Sequence, residues 1–112
     1  MDTNVPQTER IEMIVFISSP YAGDINNNTE KARRYCRMAV DAGYIPIAPH
    51  LLFPQFMKED TEREKALKMG LSLLDLCDEM WCFGEPSSGM KIEMQYAKEH
   101  FIPVKTFAGG TE

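Results

Sequence analysis

Apolar and polar positions along the chain follow two alternating periods, which predict strands and helices in turn. Residues 13–17, Met-Ile-Val-Phe-Ile, form a continuous apolar run that is typical of a strand buried on both faces. Runs at residues 44–48, 78–83 and 102–107 predict three further strands. Because proline cannot donate a ladder hydrogen bond, Pro46 indicates that the strand at residues 44–48 lies at an edge of the sheet.

Helical periodicity fills the segments between the strands. After the first strand it predicts a helix that starts at Asn28 or Thr29 and is ended by Gly43. A long connection follows the second strand. Thr61 and Glu64 then have the spacing of a capping box, and they predict the start of a second helix.

The alternation of strands and helices predicts an α/β fold. We expect a single Rossmann- or flavodoxin-like domain over residues 1–112, with a parallel sheet of four or five strands flanked by helices and a flexible N-terminus at residues 1–11. A flavodoxin-like strand order, 2-1-3-4, places a topological switch point between the first and third strands. Ligands bind beyond the carboxyl ends of the strands at such a point. The loops at residues 18–28, 49–60 and 84–88 are therefore expected to form one site.

Composition narrows the class of partner. The 112 residues are 44% apolar and 26% charged, as in one soluble globular domain, and the net charge of −5 argues against a nucleic-acid polymer as ligand. Cys36, Cys77 and Cys82 form no C-x-x-C pair, which favours reduced thiols in a cytoplasmic protein over a metal site. No apolar run approaches the ~18 residues of a membrane span, and the start of the chain lacks the features of a signal peptide. We therefore expect no metal, no cofactor and no membrane partner.

Two of the three expected loops lead into helices and carry small and hydroxyl residues. The small and hydroxyl residues are Ser18, Ser19 and Gly23 before the first helix, and Ser87, Ser88 and Gly89 before the third helix. Free N–H groups at a helix start favour an anion such as a phosphate. Either Ser87 or Ser88 could instead serve only as a helix N-cap, and neither loop matches a Walker A or dinucleotide-binding pattern.

The third helix, predicted over residues 88–100, carries a carboxylate within its apolar stripe. Glu93 falls among the stripe residues, which are Met90, Met94, Ala97 and Phe101. A carboxylate that is desolvated beside a ligand pocket can act as a nucleophile or a general base. The alternative is that Glu93 lies at the edge of the stripe and pairs with a lysine or reaches solvent.

Other side chains near the same loops have ligand-binding chemistry. His50 could contact a base or a sugar, or be structural, and Tyr21 could stack on a nucleobase. Phe53 or Phe56 could also stack on a base or could plug the core, and Arg33 or Arg34 could reach a phosphate or lie on the surface. The charged run at residues 58–65 is interpreted as a solvated helix start, and Trp81 as a core residue or an oligomer contact.

Three stretches resemble one known group of proteins. They are residues 16–23 (Phe-Ile-Ser-Ser-Pro-Tyr-Ala-Gly), residues 74–84 (Leu-Asp-Leu-Cys-Asp-Glu-Met-Trp-Cys-Phe-Gly) and residues 87–93 (Ser-Ser-Gly-Met-Lys-Ile-Glu). The chain resembles the nucleoside 2-deoxyribosyltransferase-like superfamily over residues 13–106. Residues 48–56, Ala-Pro-His-Leu-Leu-Phe-Pro-Gln-Phe, are similar to its small bacterial and phage branch, which is related to the 2′-deoxynucleoside 5′-phosphate N-hydrolases.

The resemblance implies an activity. Glu93 would attack the anomeric carbon of a (deoxy)nucleoside and displace the base, and water or a second base would then resolve the glycosyl-enzyme intermediate. A serine at position 87, where relatives acting on free nucleosides have an aspartate, implies a 5′-monophosphate ligand. In the phosphate hydrolases a neighbouring subunit completes the pocket, so a homodimer or a higher homo-oligomer is also implied.

Two positions depart from the pattern of these relatives. Gly70 stands where they have a catalytic aspartate, and Val15 where some have a tyrosine. His50, Asp60 or Glu85 could replace the missing proton donor. The sequence therefore also supports an alternative function, a non-catalytic protein that senses or sequesters a nucleotide. A third hypothesis, a purely structural protein, predicts no response to any ligand.

Overall fold

Within residues 11–108, the part of the chain that the computed structural model describes, four parallel strands form a sheet. Helices cover both of its faces. The strands are β1 (Ile14–Ser18), β2 (Ile45–Ile47), β3 (Glu79–Phe83) and β4 (Val104–Phe107). The helices are α1 (Ile25–Asp41), α2 (Pro49–Leu52), α3 (Glu59–Leu74) and α4 (Ser88–Glu99), and a 3₁₀ turn (Phe53–Gln55) follows α2. The strand order is β2-β1-β3-β4 with every pair parallel, which confirms the predicted fold class and order.

The two faces of the sheet have separate cores because successive side chains on a strand alternate in direction. Phe16 packs with Leu74 and Met90, on the side that α3 and α4 cover. Val15 and Ile17 pack on the opposite side, with Tyr35 of α1. The same alternation places Ser18 on the Phe16 side, beside α4.

The strand at the edge is the one that the sequence indicated. β2 pairs only with β1 in the described sheet, and Pro46 lies opposite Val15 in the register. Gly43 has the positive φ of 90° that favours glycine, and it follows α1 as predicted. Trp81 is buried in the core, 5% exposed, so of its two predicted roles the core role is confirmed.

The predicted start of α1 was wrong. The N-cap is Asp24, whose side chain accepts a hydrogen bond from the backbone N–H of Asn27. Asn28 lies inside the helix, and its amide donates to the carbonyls of Tyr21 and Ala22, which ties the β1–α1 loop to the first turn. Thr29 also lies within the helix. Several residues suited to capping follow one another here, so the local pattern did not single out the cap.

The long connection predicted between β2 and α3 contains α2, which has Pro49 at its first turn, and the 3₁₀ turn. The helix start predicted at its end was wrong. Helix α3 begins at Glu59, so Thr61 does not cap it. The Glu62 side chain reaches back to accept a hydrogen bond from the backbone N–H of Lys58, and the backbone at Glu62 departs from helical geometry.

The predicted apolar stripe of the last helix was wrong at one end. Met90 and Ala97 are buried, but Phe101 is 92% exposed and has a φ of 59°. Helix α4 ends at Glu99, and the left-handed residue that follows takes the chain out of helical phase.

The cysteines have the predicted free form. Cys77 and Cys82 are buried and Cys36 is half-buried, and none of the three forms a disulfide. None of the helices in residues 11–108 combines the length and the apolar character needed to cross a membrane. The flexible start predicted for residues 1–11 falls, except for Ile11, outside the described residues.

Candidate functional site

A cleft of about 200 Å³ opens beyond the carboxyl ends of β1 and β2, between the first turns of α3 and α4. It lies where the strand order reverses, as the topology predicted. Of the predicted site residues, those that line the cleft are Ser18, Ser19, Tyr21, His50, Ser87, Gly89 and Glu93. Residues distant in the sequence thus meet at one site because parallel strands end at the same edge of the sheet.

Glu93 is the carboxylate that α4 directs into this cleft. Its Oε1 accepts a hydrogen bond of 2.8 Å from the hydroxyl of Ser18, the last residue of β1, which is 2% exposed. Its other oxygen, Oε2, accepts no hydrogen bond from the described side chains and lies towards Gly70 of α3. The carboxylate is therefore held by one oxygen and free at the other.

Burial determines the charge of this group. Desolvation raises the pKa of Glu93 from 4.5 to about 7, and the Ser18 hydrogen bond opposes that shift only in part. Burial and the adjacent Glu93 carboxylate also raise the pKa of Cys82 to about 12, although its hydrogen bond with Ser18 lowers it in part. The thiol is therefore neutral and unreactive at neutral pH, and Glu93 is the group whose charge changes there.

Gly70 lies next to Glu93, although it is far from it in sequence. A β-carbon placed at Gly70 would lie 3.9 Å from Oε2 of Glu93 and 4.0 Å from Cγ of Pro49. This is one of the two positions at which the sequence departs from the proteins it resembles. As a glycine, it places no acidic group beside Glu93. Val15, the other departure, is fully buried on the α1 side of the sheet and cannot contact a ligand in the cleft.

His50 and Ser19 form a hydrogen-bonded pair in the wall of the cleft. The Ser19 hydroxyl and Nε2 of His50 are 2.8 Å apart, which fixes the ring of the histidine at the start of α2. Burial lowers the pKa of His50 from 6.5 to about 4, so the imidazole is neutral at neutral pH. The neutral imidazole can donate a hydrogen bond to a ligand or accept one from it. At neutral pH it is not an imidazolium that could act as a general acid.

Ser87 caps α4 and also lies at the cleft. Its side chain accepts a hydrogen bond of 3.2 Å from the N–H of Met90, so it is the N-cap of α4, and it also lines the cleft with Gly89. The positive end of the α4 dipole consequently faces the same space as Glu93. A phosphate at this end would complement the free N–H groups.

Several predicted residues do not reach the cleft. Gly23, Ser88, Phe56, Arg33 and Arg34 are absent from its lining, as are two of the suggested proton donors, Asp60 and Glu85. Gly23 has a φ of 95°, so it serves to turn the β1–α1 loop. Phe56 is 66% exposed, whereas Phe53 is buried and does line the cleft.

The sequence interpretation missed the contribution of α3 beyond residue 60. Glu62 and Arg63 line the cleft, together with Met57, Lys58 and Glu59 from the segment that was expected there. Arg63 forms an ion pair of 3.4 Å with Glu59. The charged run at residues 58–65 does form an exposed helix start, as predicted, and part of it also faces the cleft because α3 packs beside α4. The signal available in the sequence was the basic residue Arg63, close to the end of a loop at the switch point.

No cluster of three or more histidine, cysteine, aspartate or glutamate side chains that could hold a metal ion occurs within residues 11–108. The fold and site together define an α/β protein with a partly protonated carboxylate in a cleft at its topological switch point. The chain matches a domain family of unknown function, DUF7768, over residues 13–107, and it belongs to that family. None of the curated proteins matches the chain.

Proposed function

We propose that this protein cleaves or exchanges the N-glycosidic bond of a (deoxy)nucleoside 5′-monophosphate, with Glu93 as nucleophile. The observation that carries the proposal is the Glu93 carboxylate itself. It is half-buried in a cleft, held by Ser18 through one oxygen, free at the other, and beside the N-terminus of α4. The resemblance to nucleoside 2-deoxyribosyltransferase-like proteins supports the same role for this residue.

In this mechanism the free oxygen of Glu93 forms a bond to the anomeric carbon while the bond from that carbon to the base breaks. The base leaves with the electron pair and takes up a proton from solvent. Water or a second base then forms a bond to the same carbon and loses a proton to solvent, while the bond from that carbon to Glu93 breaks and releases the carboxylate. Because only the ionised carboxylate is nucleophilic, base release should rise with pH through the Glu93 pKa of about 7.

A second function, nucleotide binding without cleavage, is favoured by a specific observation. Gly70 offers no acid beside Glu93, and the neutral His50 cannot protonate a departing base efficiently at neutral pH. In this case the cleft would hold the nucleotide for sensing or sequestration, and Glu93 would contact the sugar without attacking it.

A panel of ribo- and deoxyribonucleoside 5′-monophosphates separates the two functions. The enzyme is expected to release free base from at least one member, with chromatography as the readout, whereas a binding protein would show thermal stabilisation with the nucleotide intact. If no base appears from any member at high protein concentration, the hydrolase proposal is wrong, and addition of a second free base as acceptor tests the transferase form. The absence of both base release and stabilisation would exclude both functions.

Ser87→Gly and Ser87→Ala test where the phosphate lies. Loss of the cap in Ser87→Ala should cost about 1 kcal/mol of unfolding free energy, whereas glycine at an N-cap costs only a few tenths. Both variants lack the hydroxyl, so both should bind the monophosphate more weakly if that hydroxyl contacts the phosphate. Normal binding by a stable Ser87→Gly variant would show that Ser87 is only a cap.

A homo-oligomer and a cytoplasmic location form part of the same proposal. A cleft of about 200 Å³ is smaller than the ~300 Å³ at which pockets begin to enclose a small organic ligand. One chain would therefore leave part of a nucleotide uncovered, and a second subunit could cover it. Three free cysteines are compatible with a reducing compartment.

A further inference from the structure

A second depression, called here the outer groove, adjoins the cleft at His50 and does not include Glu93 in its lining. Its lining includes Tyr21, Thr29, Arg33, His50, Pro54 and Gln55. Tyr21, His50 and Pro54 also line the cleft, so the two spaces adjoin along these side chains. A ligand bound in the cleft could therefore extend into the outer groove.

The two spaces differ in their charged groups. The cleft is lined by three carboxylates, those of Glu59, Glu62 and Glu93, and by two cations, Lys58 and Arg63. The described residues that line the outer groove include no carboxylate, and its polar groups are the hydroxyls of Tyr21 and Thr29, the imidazole of His50, the amide of Gln55 and the guanidinium of Arg33. In a protein with a net charge of −5, a surface with a cation and several hydrogen-bond donors is suited to an anion.

Arg33 is able to exchange its present partner for a ligand. Its Nη1 lies 3.1 Å from Oε1 of Glu30, one turn away on the exposed side of α1, and both side chains are more than half exposed. Exposed ion pairs of this kind contribute little to stability, so a phosphate could replace the glutamate at low cost. The neighbouring Arg34 is also exposed but lines neither space, and it provides a matched control.

We infer that the outer groove binds a second phosphate group of the ligand, so that the preferred ligand is a nucleoside 5′-diphosphate or 3′,5′-bisphosphate. The inference rests on the proposed function in one respect, because it takes the sugar to lie at Glu93. The cleft holds the sugar, with the first phosphate at the start of α4. The second phosphate extends past His50 to Arg33.

The test measures the affinity of the full chain carrying Glu93→Gln, which keeps the ligands intact, by isothermal titration calorimetry. The probes are the 5′-monophosphates, 5′-diphosphates and 3′,5′-bisphosphates of the four deoxynucleosides. A ligand with a second phosphate should bind about tenfold more tightly than its monophosphate, and Arg33→Ala should abolish that difference while Arg34→Ala retains it. The 5′ or 3′ position of the effective phosphate shows which end of the sugar faces the groove.

Two results would overturn the inference. One is equal affinity for ligands with one and two phosphates, and the other is an equal effect of Arg33→Ala and Arg34→Ala. Base release from monophosphates by the unmodified protein is measured in parallel. Base release without any preference for a second phosphate would contradict the inference and leave the proposed function standing. An Arg33-dependent preference without base release would contradict the proposed cleavage and leave the second phosphate site standing. No binding of any probe would contradict both.

Discussion

Glu93→Gln is expected to reduce base release from the preferred nucleotide by at least about a thousandfold, because the amide cannot form the glycosyl-enzyme bond. The same variant should still bind the nucleotide, since its side-chain oxygen can accept the hydrogen bond that Ser18 now donates to Oε1. Single-turnover base release and calorimetric affinity, measured on the same preparation, separate the two effects.

Glu62→Gln is the matched control for this prediction. Glu62 also lines the cleft, and its oxygen accepts a hydrogen bond from the N–H of Lys58, which a glutamine can preserve. Its base release should stay within a few-fold of the unmodified protein. If Glu93→Gln also retained activity within a few-fold, Glu93 would not be the nucleophile, and the function would have to be sought in the binding alternative.

The second large effect concerns stability, and it does not depend on the proposed function. Burial raises the pKa of Glu93 in the folded protein from 4.5 to about 7, so the folded state binds this proton more tightly than the unfolded state does. The stabilisation that the folded state gains from binding this proton is complete below pH 4.5 and is lost as the pH rises through 7. We therefore expect Glu93→Gln to change the unfolding free energy little at pH 4 and to raise it by about 3 kcal/mol, relative to the unmodified protein, at pH 8.

His50 should conceal this effect in the unmodified protein. Burial lowers its pKa from 6.5 to about 4, so its contribution to stability is present above pH 6.5 and is lost as the pH falls through 4. Between pH 4.5 and 6.5 the two groups act in opposite directions, and the stability curve should be nearly flat there. In Glu93→Gln the same interval should show stability that increases with pH.

Urea denaturation at a series of pH values measures both curves. Glu85→Gln, which removes an exposed carboxylate from the loop before α4, is measured alongside as the control for the loss of one surface charge. A difference between Glu93→Gln and the unmodified protein that does not change with pH would show that Glu93 is not desolvated in solution.

Several features of the site followed from local patterns in the sequence. The continuous apolar run at residues 13–17 indicated a central strand, and Pro46 indicated an edge strand, because burial on both faces and a missing N–H leave local marks. The strand order predicts a ligand site at the switch point, and the carboxylate that interrupts an apolar helical stripe singles out Glu93. The structure has a cleft at that point with Glu93 in its lining, and the use of the cleft as a ligand site stays a prediction.

Other features could not be predicted because they depend on contacts between distant elements. The hydrogen bond from Ser18 to Glu93 joins residues that are 75 positions apart in the sequence. Helix and strand periodicities relate only residues close in sequence, so they could not predict this bond. The proximity of Gly70 to Glu93 requires α3 to pack beside α4. The error in the predicted start of α1 has a local cause. Several adjacent residues there have similar capping ability, so the sequence did not show that Asp24 is the N-cap.

By itself, the sequence determined the fold class and the strand order, and it predicted a cleft at the switch point with a carboxylate in it, because these depend on hydrophobic periodicity and on the rules of parallel sheets. Only the tertiary structure decided the pKa shifts of Glu93 and His50, the pairing of Ser19 with His50, and the separation of the cleft from an outer groove with Arg33. The physical reason is that a pKa and a binding surface depend on what surrounds a side chain in space. The neighbours of Glu93 come from elements that meet only when the sheet and its helices have formed.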